Sequence, residues 1–151
     1  WKLAIKPGQP LAFGKIQGKL AFGLPGNPVS SMVTFEQLVR PAMVKMSGSR
    51  SYGRPLVQAV FQEKFSKRRD RRHFLRGVLT QEDGVFKVRT TGDQGSGILT
   101  SMVKANCLID VPTDIERLNP GDVVSVQLLS GEVWANHSEP SHTGPHRLSC
   151  C

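Results

Sequence analysis

Between Phe22 and Pro28 the chain reads Phe-Gly-Leu-Pro-Gly-Asn-Pro, and this turn restricts what can lie on either side of it. Lys19 to Phe22 before it reads as a short apolar strand. After it, Met32, Phe35, Glu36, Val39, Met43 and Met46 recur at three- and four-residue steps, the period of an amphipathic helix. Asn27 suits the N-cap, where its side-chain oxygen accepts from a free amide of the first turn. Pro28 suits the first helical position, where a missing N–H costs nothing. Pro25 and Gly26 impose a tight bend, after Gly23, that allows close approach of a ligand to the backbone. A strand-fed helix start of this kind attracts anions through free N–H groups and the helix dipole. It is equally a plain connection that needed a sharp turn. Upstream, Trp1 to Lys6 reads as a strand, and the even spacing of Lys2 and Lys6 places both ammoniums on one face. The two lysines and the helix start could together hold a phosphate. Otherwise they are two solvated lysines on an edge strand.

The helix pattern runs to Gly48, a C-cap candidate, with Pro41 inside it as a kink or restart. Ser47 to Arg54 is polar and glycine-containing, the best domain boundary in the chain. From Pro55 the period shortens. Leu56–Phe65, His73–Leu79, Val85–Thr91, Cys107–Val111 and Val123–Leu129 read as strands, with Phe74 and Val78 on one face of the second. Gln81-Glu82-Asp83-Gly84 is a hairpin turn, Gly92 to Gly97 a loop, Ile98 to Val103 an apolar stretch and Leu118 to Asp122 a further turn. Short strands at such spacing imply a small β-barrel or sandwich of about 80 residues.

The chain carries 20 Lys and Arg against 12 Asp and Glu, a net +8, which points to anionic partners. Much of the excess is local, in Lys64, Lys67, Arg68, Arg69, Arg71, Arg72 and His73; the run 67–72 falls in a loop between barrel strands and reads as a solvated surface feature. No run of about 18 apolar residues occurs, so no membrane-spanning helix is expected. Three cysteines, two of them at the C-terminus, make no disulfide framework, so the cytoplasm is the default compartment. The chain opens on Trp1 inside a strand, as a fragment lacking its N-terminal part would. Residues 132–151 read as a disordered or non-native tail. Within it His137, His142, His146, Cys150 and Cys151 match no standard zinc spacing.

These motifs resemble a known family. GLPGNPVSSMVTFEQLVRPAM is similar to the signature of the bacterial molybdopterin molybdenumtransferases (MoeA), shared with the E domain of gephyrin. WKLAIKPGQPLAFGK resembles the segment before it, and HFLRGVL, TTGDQGSGILTSMVKANCLIDVP and LNPGDVVSV resemble the C-terminal β-domain. The resemblance implies a mixed α+β chain. Residues 1–48 would be the end of a molybdopterin-binding α/β domain, 49–54 a linker and 55–131 a β-barrel-like domain. It implies insertion of molybdate into adenylylated molybdopterin, with cleavage of the adenylate, release of AMP and assistance by Mg2+. It also implies a homodimer, and contact with the adenylylating enzyme.

By the same resemblance Lys2 and Lys6 neutralise the pterin phosphate or diphosphate. Gly23, Pro25, Gly26, Asn27 and Pro28 offer the turn, and Arg76 and Ser96 are linked to activity. Arg76, in an apolar strand, is either paired or aimed at an oxyanion through its planar donor fork; the alternative is an edge-strand arginine facing water. Gly95-Ser96-Gly97 could supply amides and a hydroxyl to a small oxyanion, or be a plain loop. The family's KPGKP reads Lys6-Pro7-Gly8-Gln9-Pro10 here, with one lysine lost. Its acidic magnesium ligands fall before Trp1, so the 151 residues alone are expected to be inactive, and residues 1–48 alone to be aggregation-prone or disordered. Two other readings compete: a nucleic-acid-binding barrel using Lys67 to Arg72, and a gephyrin-like scaffold. The first has few aromatics for base stacking, only Phe65, His73 and Phe74 lying near the basic run. The intact motifs argue against the second.

Overall fold

The computed structural model describes residues 4–8, 11–95 and 97–129. Lys2, Ser96 and the tail 132–151, with its histidines and cysteine pair, lie outside the described residues.

Among the described residues ten strands and three α-helices run in the order β1 (Ile5–Lys6), β2 (Ala12–Ile16), β3 (Lys19–Gly23), α1 (Pro28–Thr34), α2 (Arg40–Met46), β4 (Leu56–Phe61), β5 (Phe65–Ser66), β6 (Arg72–Glu82), β7 (Val85–Thr90), α3 (Leu99–Val103), β8 (Cys107–Val111), β9 (Arg117–Leu118) and β10 (Val123–Leu128). The Asn27 side chain accepts from the Ser30 amide at 3.2 Å and Pro28 opens α1. Asn27→Ala therefore removes a cap, and urea melts are expected to show a loss of about 1 kcal/mol. The helix does not stop at Pro41. Residues Phe35–Val39 between α1 and α2 widen into a π turn, in which the Arg40 amide reaches back to the Phe35 carbonyl. That widening sits immediately before the proline, whose ring would crowd the Gln37 carbonyl and whose nitrogen donates nothing. Gly48, at φ +86°, ends the helix as a left-handed cap.

The second half closes into a barrel. Strands β6, β7, β4, β10 and β8 pair in sequence, and β8 pairs back onto β6. All pairs are antiparallel except β4 with β7. Closure rests on the eleven-residue β6, whose residues 73–77 pair with β8 and 77–82 with β7. The predicted hairpin holds: Glu82 faces Val85, and Asp83 and Gly84 both take positive φ, as a type I′ turn requires. The predicted strand 56–65 is interrupted after Phe61, and Phe65–Ser66 pairs instead with β9. The apolar stretch 98–103 is the short helix α3. Ala59, Phe61, Leu75, Leu79, Val88, Ile109 and Val126 fill the barrel.

The helical segment packs on the outside of the barrel, so it has a partner within the chain. Val33 of α1 meets Phe74 and Leu108, with Ile5, Met102 and Leu129 around them. Arg54 grips Glu36 through two bonds of 2.9 and 3.0 Å, and Gln37 donates to Gln127 at 2.6 Å. Parts of the helix remain uncovered: Met32, Met43 and Met46 are exposed. The β2–β3 ribbon stands largely in solvent, with the Phe13 and Phe22 rings 5.0 Å apart and tilted by 42°. No helix among the described residues is long and apolar enough to cross a membrane.

Candidate functional site

Strand β6 is buried on both faces. Leu75, Gly77 and Leu79 point into the barrel, while Phe74 and Arg76 alternate onto the outer face, beneath α1 and the loop before α3. Arg76 is 1% exposed, not an edge arginine in water. Its Nε donates to Ser101 Oγ at 3.1 Å and its Nη2 to the Gly95 carbonyl at 3.2 Å. Ser101 Oγ is in turn fixed by donating to the Ile98 carbonyl at 2.6 Å. No carboxylate lies within ion-pair distance of Arg76 among the described residues. Burial pushes its guanidinium below the usual arginine value, with Asp93 acting weakly in the other direction.

The Gln94 side chain holds the backbone of the same residue. Its Oε1 accepts from the Arg76 N–H at 2.8 Å and its Nε2 donates to the Arg76 carbonyl at 3.2 Å. It extends the sheet ladder where β7 has already ended. Asn106 does the same for Leu79 on the other flank, accepting at 2.8 Å and donating at 2.9 Å.

Arg76 opens onto a cleft of about 720 Å³ that also receives Lys6, Gly8, Ser30 of α1, Lys67, Arg68, Arg71, His73 and the Gln94–Gly95 loop. Five Lys and Arg side chains line it against the carboxylates of Asp70 and Asp93. Those two carboxylates are engaged, Asp70 by Arg71 at 2.7 Å and Asp93 by the Gly95 amide at 2.7 Å. The cleft is therefore a cationic, partly apolar pocket of small-molecule size.

Of the residues singled out by sequence, the fold brings Lys6 and Arg76 to this cleft. Gly23, Pro25, Gly26, Asn27 and Pro28 do not line it; the first turn of α1 reaches it through Ser30. The basic run 67–72 is not simply solvated surface. Lys67, Arg68 and Arg71 form one wall, because Lys67 Nζ donates to the carbonyls of Arg71 at 3.0 Å and Thr113 at 3.2 Å and folds the loop inward. Arg72 does point outward, paired with Asp110 and lying over the Phe74 ring. Ser30, Gln94 and Ser101 carry no periodic signal and were invisible as site residues.

His73 sits at the start of β6, 8% exposed, edge-on to Phe65 at 6.1 Å. Burial, and after it the fields of Lys6 and Lys67, push its imidazole from 6.5 down to about 4, so the ring is neutral in a cationic pocket. In the unfolded chain it titrates near 6.5, so between these values the unfolded state takes up the proton first. Stability is then complete above the window and falls as pH drops through it, by up to about 2 kcal/mol after allowance for the ring edge open to the cleft. His73→Asn is expected to flatten that slope in urea melts above and below the window.

Among the described residues no three or more His, Cys, Asp or Glu side chains gather into a group that could hold a metal ion.

Residues 58–129 match the MoeA C-terminal region (domain IV). The chain is 39% identical over 129 residues to a molybdopterin molybdenumtransferase of Haemophilus influenzae, covering 84% of this chain and 32% of that protein. It is 35% identical over 136 residues to molybdopterin molybdenumtransferase 1 of Mycobacterium tuberculosis, covering 85% and 32% respectively. Among solved structures, the molybdopterin biosynthesis moeA protein of Pyrococcus horikoshii OT3 superposes with a TM-score of 0.68 at 32% identity, over 84% of this chain and 31% of that one. A molybdenum cofactor biosynthesis protein of Pyrococcus furiosus superposes at 0.70 with 31% identity, over 84% and 44%. The chain spans about a third of the length of the curated relatives it matches. Barrel topology, the matched C-terminal region and similarity that extends back through the helical segment agree: residues 58–129 match the MoeA C-terminal region, and the chain is similar over most of its length to molybdopterin molybdenumtransferases.

Proposed function

We propose that this chain forms one wall of the site at which a MoeA-type enzyme inserts molybdate into adenylylated molybdopterin, cleaving the adenylate to AMP and releasing molybdenum cofactor. The observation that carries the reading is Arg76. A buried guanidinium that, among the described residues, bonds a hydroxyl and a carbonyl and meets no carboxylate is costly unless an anion completes it. The cleft it faces is cationic, and the chain is 39% identical over 129 residues to a relative bearing the transferase name.

In this reading Ser101, Gly95 and Gln94 aim the guanidinium before the oxyanion arrives, so little reorganisation is needed on binding. Ser96, next in sequence to Gly95, adds a hydroxyl to the same oxyanion. Lys6, together with Lys2, neutralises the phosphate of the pterin. Residues 1–48 close the pterin-binding domain, 49–54 link it and 55–131 form the barrel domain. Mg2+, a homodimer and contact with the adenylylating enzyme belong to the whole protein, and turnover requires that remainder. Calorimetric titration of molybdate into the chain tests the oxyanion site. A saturable site supports the reading, and no heat beyond dilution sinks it.

A further inference from the structure

The cleft is far larger than a tetrahedral oxyanion needs, and its positive charge is not concentrated at Arg76. Lys6 of β1 pairs with His73 at the start of β6, three residues from Arg76, about 10 Å of extended strand. Cations therefore stand at two separated places along the cleft. The turn at Gly23–Pro28 does not line it, so a phosphate held there must be gripped by other groups.

The basic loop supplies them selectively. Arg69 is paired with Glu116 at 3.3 Å, Arg71 with Asp70 at 2.7 Å and Arg72 with Asp110. Arg68 carries no ion pair or hydrogen bond from its side chain among the described residues, and it lines the cleft. Lys6, across the cleft, likewise has no acidic partner among them. Lys67 differs from both. Its ammonium donates to three backbone carbonyls, those of Arg71, Thr113 and, at 3.5 Å, Arg68. All its protons are committed to shaping the loop, so it contributes charge and position rather than a contact.

We propose that Arg68 and Lys6 form a second anion subsite, for a diphosphate ester, at the end of the cleft away from Arg76, with Lys67 as the residue that positions the Arg68 loop. This rests on the reading of the cleft as a pterin-phosphate site and adds which groups grip the nucleotide-bearing end of the substrate. The planar fork of Arg68 suits two phosphate oxygens, and Lys6 adds a point charge. A nucleic-acid strand fits less well. Phe74 is packed in a core cluster and Phe65 is held edge-on to His73, so neither ring is free to stack on bases.

Inorganic pyrophosphate, molybdate and a single-stranded RNA oligonucleotide are titrated separately into the 151-residue chain and its variants. Arg68→Ala is expected to weaken pyrophosphate about tenfold, and Arg68→Glu to weaken it further. Because the two ends are well separated, molybdate should change by no more than about twofold in either variant. Lys67→Met should also weaken pyrophosphate but, unlike Arg68→Ala, speed amide exchange in residues 66–72. Pyrophosphate affinity indifferent to both Arg68 variants, while molybdate binds and is lost in Arg76→Met, overturns the subsite and leaves the oxyanion reading standing. Absence of molybdate and pyrophosphate binding in the wild type overturns both. RNA binding tighter than pyrophosphate and lost in the Arg68 variants overturns the diphosphate assignment in favour of nucleic acid.

Discussion

Replacing Arg76 with methionine is expected to abolish molybdate binding while leaving the barrel within about 1 kcal/mol of its original stability. The two effects separate because Arg76 is buried without a carboxylate among the described residues. Methionine keeps the linear apolar stem, fills nearly the same space and removes a charge that burial already disfavours. Two hydrogen bonds go with the guanidinium, but Ser101 Oγ keeps its bond to Ile98 and the backbone of residue 76 keeps Gln94. Loss of charge-assisted bonds to the oxyanion should weaken molybdate at least about a hundredfold, roughly 3 kcal/mol. Arg76→Lys retains the charge without the fork and should fall between. Calorimetry paired with urea melts measures both quantities. Unchanged molybdate affinity in the methionine variant would show the arginine to be a structural cation, and a loss of several kcal/mol of stability would contradict the account of its burial.

The neighbouring position predicts the opposite separation. Gly77→Ala is expected to destabilise the barrel by about 1–3 kcal/mol. Gly77 is the one residue of β6 paired to both flanking strands, facing Cys107 on β8 and Thr90 on β7, where the strand passes from one neighbour to the other. A Cβ there would point into the core and meet Cys107 Sγ and Ile109 Cγ1, each at 2.9 Å. Neither can yield easily, because both side chains are fully buried in the close-packed interior. Ile109→Val, by removing the Cδ1 that would lie 3.0 Å from the new Cβ, should recover part of the loss in the double variant, so the two changes should be non-additive. Urea midpoints of the four proteins in this cycle provide the check. A Gly77→Ala protein as stable as wild type would mean that β6 can shift relative to β8, which the closed ladder does not allow.

Gly77 and Arg76 also show where reading the chain residue by residue succeeds and stops. Arg76 stands out in the sequence because a guanidinium interrupts an apolar strand, although sequence alone leaves three fates open to it. Its actual fate depends on Gln94, Gly95 and Ser101, between 18 and 25 residues away, which reach it only because the loop before α3 folds over β6. A basic run such as 67–72 ordinarily marks solvated surface. Lys67 turns it inward by bonding Thr113, 46 residues on, a contact with no periodic imprint. Gly77 looks like an ordinary strand glycine until Cys107 and Ile109 are placed against it.

What the chain determines by itself is local. The Asn27–Pro28 helix start, the Gly48 cap and the Asp83-Gly84 hairpin each depend on groups within about four residues, where backbone sterics and single hydrogen bonds decide the outcome. The π turn before Pro41 belongs with them, as the local response to a missing donor. Only the tertiary structure decides that β6 closes onto β8, that α1 rests on the barrel through Val33, Phe74 and Leu108, and that Lys6, Arg68 and Arg76 share one cleft. The physical reason is that these arrangements are set by which apolar faces exclude water together. That is a property of surfaces assembled from distant segments, so the cations become a site only once those surfaces have met.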